Sequence, residues 1–172
     1  MRKNLRVLGI DPGTVTTGWG VVETADGSLR HLAHGTIGSS GGQGGRLRVI
    51  YEGLQEALSR YEPEGISLEK VFFARNAQSA LKLGQARGVA LLAAASRDIA
   101  IYEYASAEIK LAVVGYGRAA KGQVQKMVAS LLCLPFQIPA DAADALAAAI
   151  CHLHQSAFRA RVTMALSAAG QR

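Results

Sequence analysis

The stretch LRVLGIDPGT, residues 5–14, decides how the chain is read. A short apolar run ends in Asp-Pro-Gly, the pattern of a buried strand stopped by a sharp turn. Pro12 and Gly13 bend the backbone directly after Asp11. Its carboxylate is therefore expected at the strand's C-terminal end, where ligands bind in α/β sheets. An aspartate before Pro-Gly is also an ordinary turn former, so this residue alone does not decide function. Outward from it, strands are predicted near 17–24 and 29–37, joined by hairpin-turn chemistry in Ala-Asp-Gly-Ser at 25–28. SSGGQGG at 39–45 reads as a flexible loop, and no Lys-Ser/Thr follows it as a phosphate-binding P-loop requires. Leu47, Ile50, Tyr51, Leu54 and Leu58 recur at three- and four-residue steps, which predicts an amphipathic helix over 46–61. A strand over 66–73, a helix over 77–97, a strand over 99–105 and helices over 106–113, 121–133 and 140–158 complete the chain. With no repeat and no linker, the order βββαβαβααα predicts one α/β domain, a mixed five-stranded sheet flanked by helices.

Composition narrows the class. The 172 residues are 49% hydrophobic and 19% charged, which suits a globular protein with a core of its own. No apolar run approaches the roughly 18 residues of a membrane span, and no secretory segment opens the chain. A cytoplasmic protein without a membrane partner is expected. Cys133 and Cys151 lie in apolar stretches without CxxC spacing and read as buried free thiols. The net charge of +6 is unevenly spread: residues 72–126 carry eight Lys/Arg against three Asp/Glu, whereas residues 1–71 carry eight of each. A cation excess concentrated in the middle third suits a polyanionic partner.

Three further carboxylates stand out. Glu69, in ISLEKVFF, is costly inside so apolar a strand unless exposed, paired or metal-bound. Alternation puts Ser67, Glu69 and Val71 on one face; an edge strand with Glu69 and Lys70 solvated is the plain alternative. Asp141 and Asp144, in PADAADALAAAI, share one helix face about 5–6 Å apart. Asp141 also suits a helix start. No Lys or Arg occurs from Met127 to Phe158 to neutralise the pair. A hard divalent cation such as Mg²⁺ would answer that charge. His152 and His154, two apart, lack zinc-ligand spacing. Phe72 and Phe73 precede Ala-Arg-Asn, and one of them is expected near the active edge, available for base stacking.

Together these segments resemble the RuvC family of Holliday junction resolvases. GIDPGT (9–14), EKVFFARN (69–76), SALKLGQARGV (79–89) and ADAADAL (140–146) carry the resemblance, which spans nearly the whole chain. It implies a ribonuclease H-like fold in a nuclease domain over 1–158; the tail over 159–172 carries little of the resemblance, and Ser167–Arg172 are expected to be disordered. It implies a homodimer that symmetrically nicks opposing strands of four-way junction DNA in recombination and repair, leaving 5′-phosphate and 3′-hydroxyl ends. The catalytic and metal-binding tetrad maps onto Asp11, Glu69, Asp141 and Asp144. The implied cofactor is Mg²⁺, two ions per active site about 3.5–4 Å apart, with Mn²⁺ as a substitute. Lys121 or Lys110 would neutralise charge in the transition state. Phe72 would stack at the opened junction, with Phe73, Arg75, Asn76, Lys110 and Arg118 as further DNA contacts. The helix carrying Leu81, Gly84 and Gly88 corresponds to the dimer-forming helix. A branch-migration helicase complex is the implied protein partner. Asp-x-Gly-Thr after a strand also occurs in actin-like ATP-binding modules, but those need a second domain and a second phosphate loop. A structural DNA binder would have no need of four acidic positions. A nuclease for another branched or single-stranded substrate shares the motifs.

Overall fold

A computed structural model of the chain describes residues 4–38, 41–70, 77–135 and 137–169. Strands β1 (Arg6–Asp11), β2 (Thr16–Ala25) and β3 (Ser28–Gly38) form an antiparallel meander. Asp26 and Gly27 turn β2 into β3 with positive φ at both residues, the geometry of a tight hairpin. Helix α1 (Gln43–Tyr61) crosses over to β4 (Gly65–Glu69), and α2 (Ala77–Ala95) leads to β5 (Ala100–Tyr104). Helices α3 (Ser106–Val114), α4 (Lys121–Leu131) and α5 (Ala140–Ala169) follow. The strand order is β3-β2-β1-β4-β5, with β4 parallel to both β1 and β5. The predicted mixed five-stranded sheet is thus present, with β4 ending at Glu69; residues 71–73 of the strand expected over 66–73 lie outside the described residues.

Alternation along the strands sorts the core into two layers. Val7 and Val22 join α3, α4 and α5 on one face, while Leu8, Ile10, Val21, Ile66 and Leu68 join α1 and α2 on the other. β4 is an interior strand rather than an edge strand, but Glu69 at its end and Lys70 after it are both exposed, as the solvated alternative expected.

Helix α5 lies closer to the sheet than ordinary side-chain packing allows. A Cβ at Gly9 would come 1.8 Å from the Ala145 carbonyl oxygen, and one at Gly18 2.0 Å from that of Asp141. Glycine lets the helix backbone rest directly on β1 and β2.

Two expectations need correction. Only Cys151 is buried; Cys133 is exposed in the turn after α4, at φ 52°. Pro135 soon afterwards stops the chain from continuing that helix into the core. The segment after Phe158 is helical as far as Ala169, because no Gly or Pro interrupts an alanine-rich run of good helix formers. No helix among the described residues is long and apolar enough to cross a membrane.

Candidate active site

The strand carboxylates owe their placement to pleating. Gly9 faces α5, so Asp11, two residues on, faces the same way. Ser67 also faces α5, donating from Oγ to the Ala148 carbonyl at 2.7 Å, so Glu69 follows it to that face. β1 and β4 are parallel neighbours paired up to Ile10 and Leu68, so both strands present their carboxylates at one sheet edge. Asp11 itself pairs with Gly18, the residue on which the first turn of α5 rests at Asp141. Asp144 follows one turn along. Three elements thereby bring all four predicted carboxylates to one edge.

The electrostatics separate this group from a structural ion pair. Glu23, the one buried carboxylate on β2, is held by Arg6 at 3.0 Å and by Arg30. Among the described residues, no arginine pairs with Asp11 in this way. Burial, then the charges of Asp144 and Asp141 and more weakly Glu69, push its pKa from 3.8 up to about 7, against the lowering effect of Lys121. Lys121, at the start of α4, places Nζ 2.6 Å from Asp144 Oδ2, and that bond raises the lysine's pKa.

Lys121 and Asp144 share a cleft of about 240 Å³ with Glu69, Ser106 and Lys110. Ser106, the first residue of α3, was not singled out from sequence; a serine opening a helix right after a strand at this edge was the available signal. Arg87 was missed as well: its Nη1 donates to the Glu69 carbonyl at 2.8 Å while Nη2 pairs with Glu103, fixing the end of β4. Arg118 is exposed in the connection from α3 to α4 and does not line the cleft. Phe72, Phe73, Arg75 and Asn76 lie outside the described residues.

His152 and His154 are held by structural contacts. His152 is buried, stacked on Tyr102 at 3.9 Å, with Nδ1 2.8 Å from the Tyr104 hydroxyl; burial, helped by Arg159, lowers its pKa to about 4. His154 is exposed and bonded to the Ala112 carbonyl.

The donor set suits a hard divalent ion: carboxylate oxygens only, with an excess of negative charge around Asp11. As the side chains stand, no three such groups among the described residues enclose a common point, and Lys121 takes the place of a counter-ion on Asp144. The fate of Asp11 gives a test. A raised pKa means the folded chain holds this proton more tightly than the unfolded one. The stability it contributes is full below about pH 4 and lost as pH rises to about 7. In metal-free buffer, Asp11→Asn should therefore raise the melting temperature at pH 8 by several degrees, reflecting a few kcal/mol, and should do little at pH 4. Equal melting of both proteins at pH 8 would show that Asp11 carries no such charge burden.

A ribonuclease H-like sheet with carboxylates converging at one edge, beside two lysines, defines a phosphodiester-cleaving class of protein. Comparison with known proteins narrows the class. The model of the family described as "Crossover junction endodeoxyribonuclease RuvC" matches residues 7–152, and the chain belongs to this family. It is 51% identical over 152 residues to the RuvC of Pelobacter propionicus, covering 87% of this chain and 86% of that one. It is 50% identical over 161 residues to the RuvC of Alkalilimnicola ehrlichii, covering 93% and 98%. Among solved structures, Thermus thermophilus RuvC in complex with a Holliday junction substrate superposes with a TM-score of 0.83 at 35% identity, covering 88% and 94%. The yeast mitochondrial Holliday junction resolvase shares the fold, with a TM-score of 0.62 at 15% identity.

Proposed function

We propose that the chain is a structure-specific endodeoxyribonuclease that resolves four-way DNA junctions by nicking two opposing strands symmetrically. The observation that carries this reading is the convergence of Asp11, Glu69, Asp141 and Asp144 from β1, β4 and α5 at one sheet edge, in a member of the RuvC family. The Thermus thermophilus relative, solved on a Holliday junction, supports the choice of DNA.

In this reading the four carboxylates would hold Mg²⁺, two ions per site, with Mn²⁺ as a substitute. When bound, such ions supply an activated water and stabilise the leaving oxygen. The remaining work falls to the chain's own groups. Lys110 and Lys121 line the cleft with Glu69 and Asp144 and would pair with the scissile phosphate's oxygens. Lys121 then exchanges its carboxylate partner for a phosphate, which relieves Asp144. Phe72 follows Glu69 closely in sequence and would stack on a base leaving the cleft, with Phe73, Arg75, Asn76 and Arg118 as further DNA contacts.

Two active sites are needed for paired nicks, and α2 offers a surface for a second copy. Leu81 and Leu92 are 68% and 58% exposed, and nothing lies within 4 Å of where a Cβ at Gly84 or Gly88 would be. These four recur along one helix face, where small residues admit a close helix partner. A branch-migration helicase complex is the protein partner proposed on family resemblance, and residues 1–158 the catalytic domain.

Incubation with four-way, flayed and linear DNA plus Mg²⁺, with product ends mapped, tests the function. Paired symmetric nicks with 5′-phosphates on the four-way substrate alone are expected. Equal cutting of linear DNA would overturn the junction specificity, and ATP hydrolysis without nicking would overturn the nuclease.

A further inference from the structure

We infer that Arg87 is a positioning residue that aims the Glu69 carboxylate from the opposite face of the sheet and so tightens divalent-ion binding; this rests on the proposed function. Glu69 ends β4 and is exposed, so packing does not fix its direction. Asp144 is steadied through its own carboxylate, by Lys121 at 2.6 Å. Glu69 is steadied through its main chain instead. The peptide group that joins it to Lys70 is pinned at both ends. Arg87 Nη1 donates to its carbonyl oxygen at 2.8 Å, and its N–H donates to the Tyr104 carbonyl at 2.8 Å. With β4 already paired to β5 up to this residue, a pinned peptide plane fixes ψ at Glu69 and hence the direction of its side chain.

Alternation puts the arginine and the carboxylate it directs on different faces. Leu68 and Glu103 are neighbours across β4 and β5, and Leu68 lies in one apolar cluster with Ala86 and Ala90 of α2. Arg87 Nη2 pairs with Glu103 on that face, which turns the other arm of the guanidinium toward the Glu69 carbonyl. Glu69, one residue past Leu68, projects the other way, and the guanidinium does not line the cleft. Arg87 therefore acts on the site through geometry, not by meeting a phosphate. Only 15% of its side chain is exposed, so it turns inward, away from the Gly84 and Gly88 face offered to a second copy. Two acceptors served at once suit the planar fork of arginine, which a lysine ammonium does not reproduce. Groups that hold a metal ligand in place are typically worth about 10–100-fold in metal affinity.

The test is Mn²⁺ binding to the DNA-free protein, followed by the electron paramagnetic resonance signal of the free ion. Arg87→Gln should bind Mn²⁺ about tenfold more weakly than wild type, per folded molecule. Its nicking of a four-way junction should fall at low Mg²⁺ and recover as Mg²⁺ is raised, with junction affinity in divalent-free buffer unchanged. A merely structural role would lower the folded fraction and leave the Mg²⁺ dependence alone. Arg87→Lys, which reaches one acceptor of the two, should fall between Arg87→Gln and wild type. Glu103→Gln, which loosens the arginine without removing it, should weaken Mn²⁺ binding by less than Arg87→Gln does. Arg97→Gln removes an arginine that ties Gln55 and Ser59 of α1, beyond the end of α2, and should match wild type. Wild-type Mn²⁺ affinity in folded Arg87→Gln would overturn the inference. Should that variant not fold, wild-type affinity in Glu103→Gln would do the same. A wild-type chain that binds Mn²⁺ yet nicks no junction would instead sink the proposed function and leave the role of Arg87 standing.

Discussion

Asp144→Asn should abolish nicking of a four-way junction in Mg²⁺, by about 10²–10³-fold or more, while leaving junction binding nearly intact. Asparagine keeps the shape of the side chain, so the fold of α5 is not at risk. What it removes is charge. Asp144 lines the cleft, holds Lys121 at 2.6 Å and is the carboxylate whose charge raises the Asp11 pKa most. Loss of that carboxylate weakens any divalent site at the edge and frees Lys121 to bind phosphate unproductively. Binding should not suffer, because DNA approaches a less negative edge. A nicking assay on end-labelled junction, beside a gel-shift titration, separates the two effects. Cutting at the wild-type rate would remove Asp144 from the site.

Gly9→Ala should be strongly destabilising, since among the described glycines its added Cβ would meet the shortest contact. Its Cβ would stand 1.8 Å from the Ala145 carbonyl oxygen, 2.8 Å from that carbonyl carbon and 3.0 Å from the Ala149 nitrogen, all helix backbone. Backbone cannot rotate aside as a side-chain tip can, so α5 must lift from β1. Overpacking of this kind costs about 1–3 kcal/mol or more, and here the displaced helix also carries Asp141 and Asp144. Urea unfolding should show a lower midpoint, and nicking should fall by more than the folded fraction explains. Gly44→Ala, where nothing lies within 4 Å, should leave both unchanged or slightly improved. An undisturbed Gly9→Ala midpoint would mean that the contact between α5 and β1 is not as tight as its distances state.

Much of this was legible in the chain. The two periodicities placed five strands and five helices, and the Asp-Pro-Gly turn marked the sheet edge where the carboxylates gather. What stayed hidden came from tertiary neighbours. No cation lies near Asp141 and Asp144 in sequence, yet Lys121, more than twenty residues upstream of Asp144, reaches it because α4 packs beside α5. The apolar setting of Cys133 suggested burial, but a turn carries it outward. An alternating pattern cannot tell an interior strand from an edge strand, and β4 proved interior. The close seat of α5 on Gly9 and Gly18 was not legible, because sequence does not show what crosses above a strand.

The seat of α5 on those glycines has a consequence for precision. Where two elements meet through side chains, their separation drifts with every rotamer change and every methylene gained or lost beneath them. Here a carbonyl abuts a strand Cα, leaving no adjustable layer between. The spacing of the strand and helix carboxylates is therefore insulated from repacking elsewhere in the alanine-rich core.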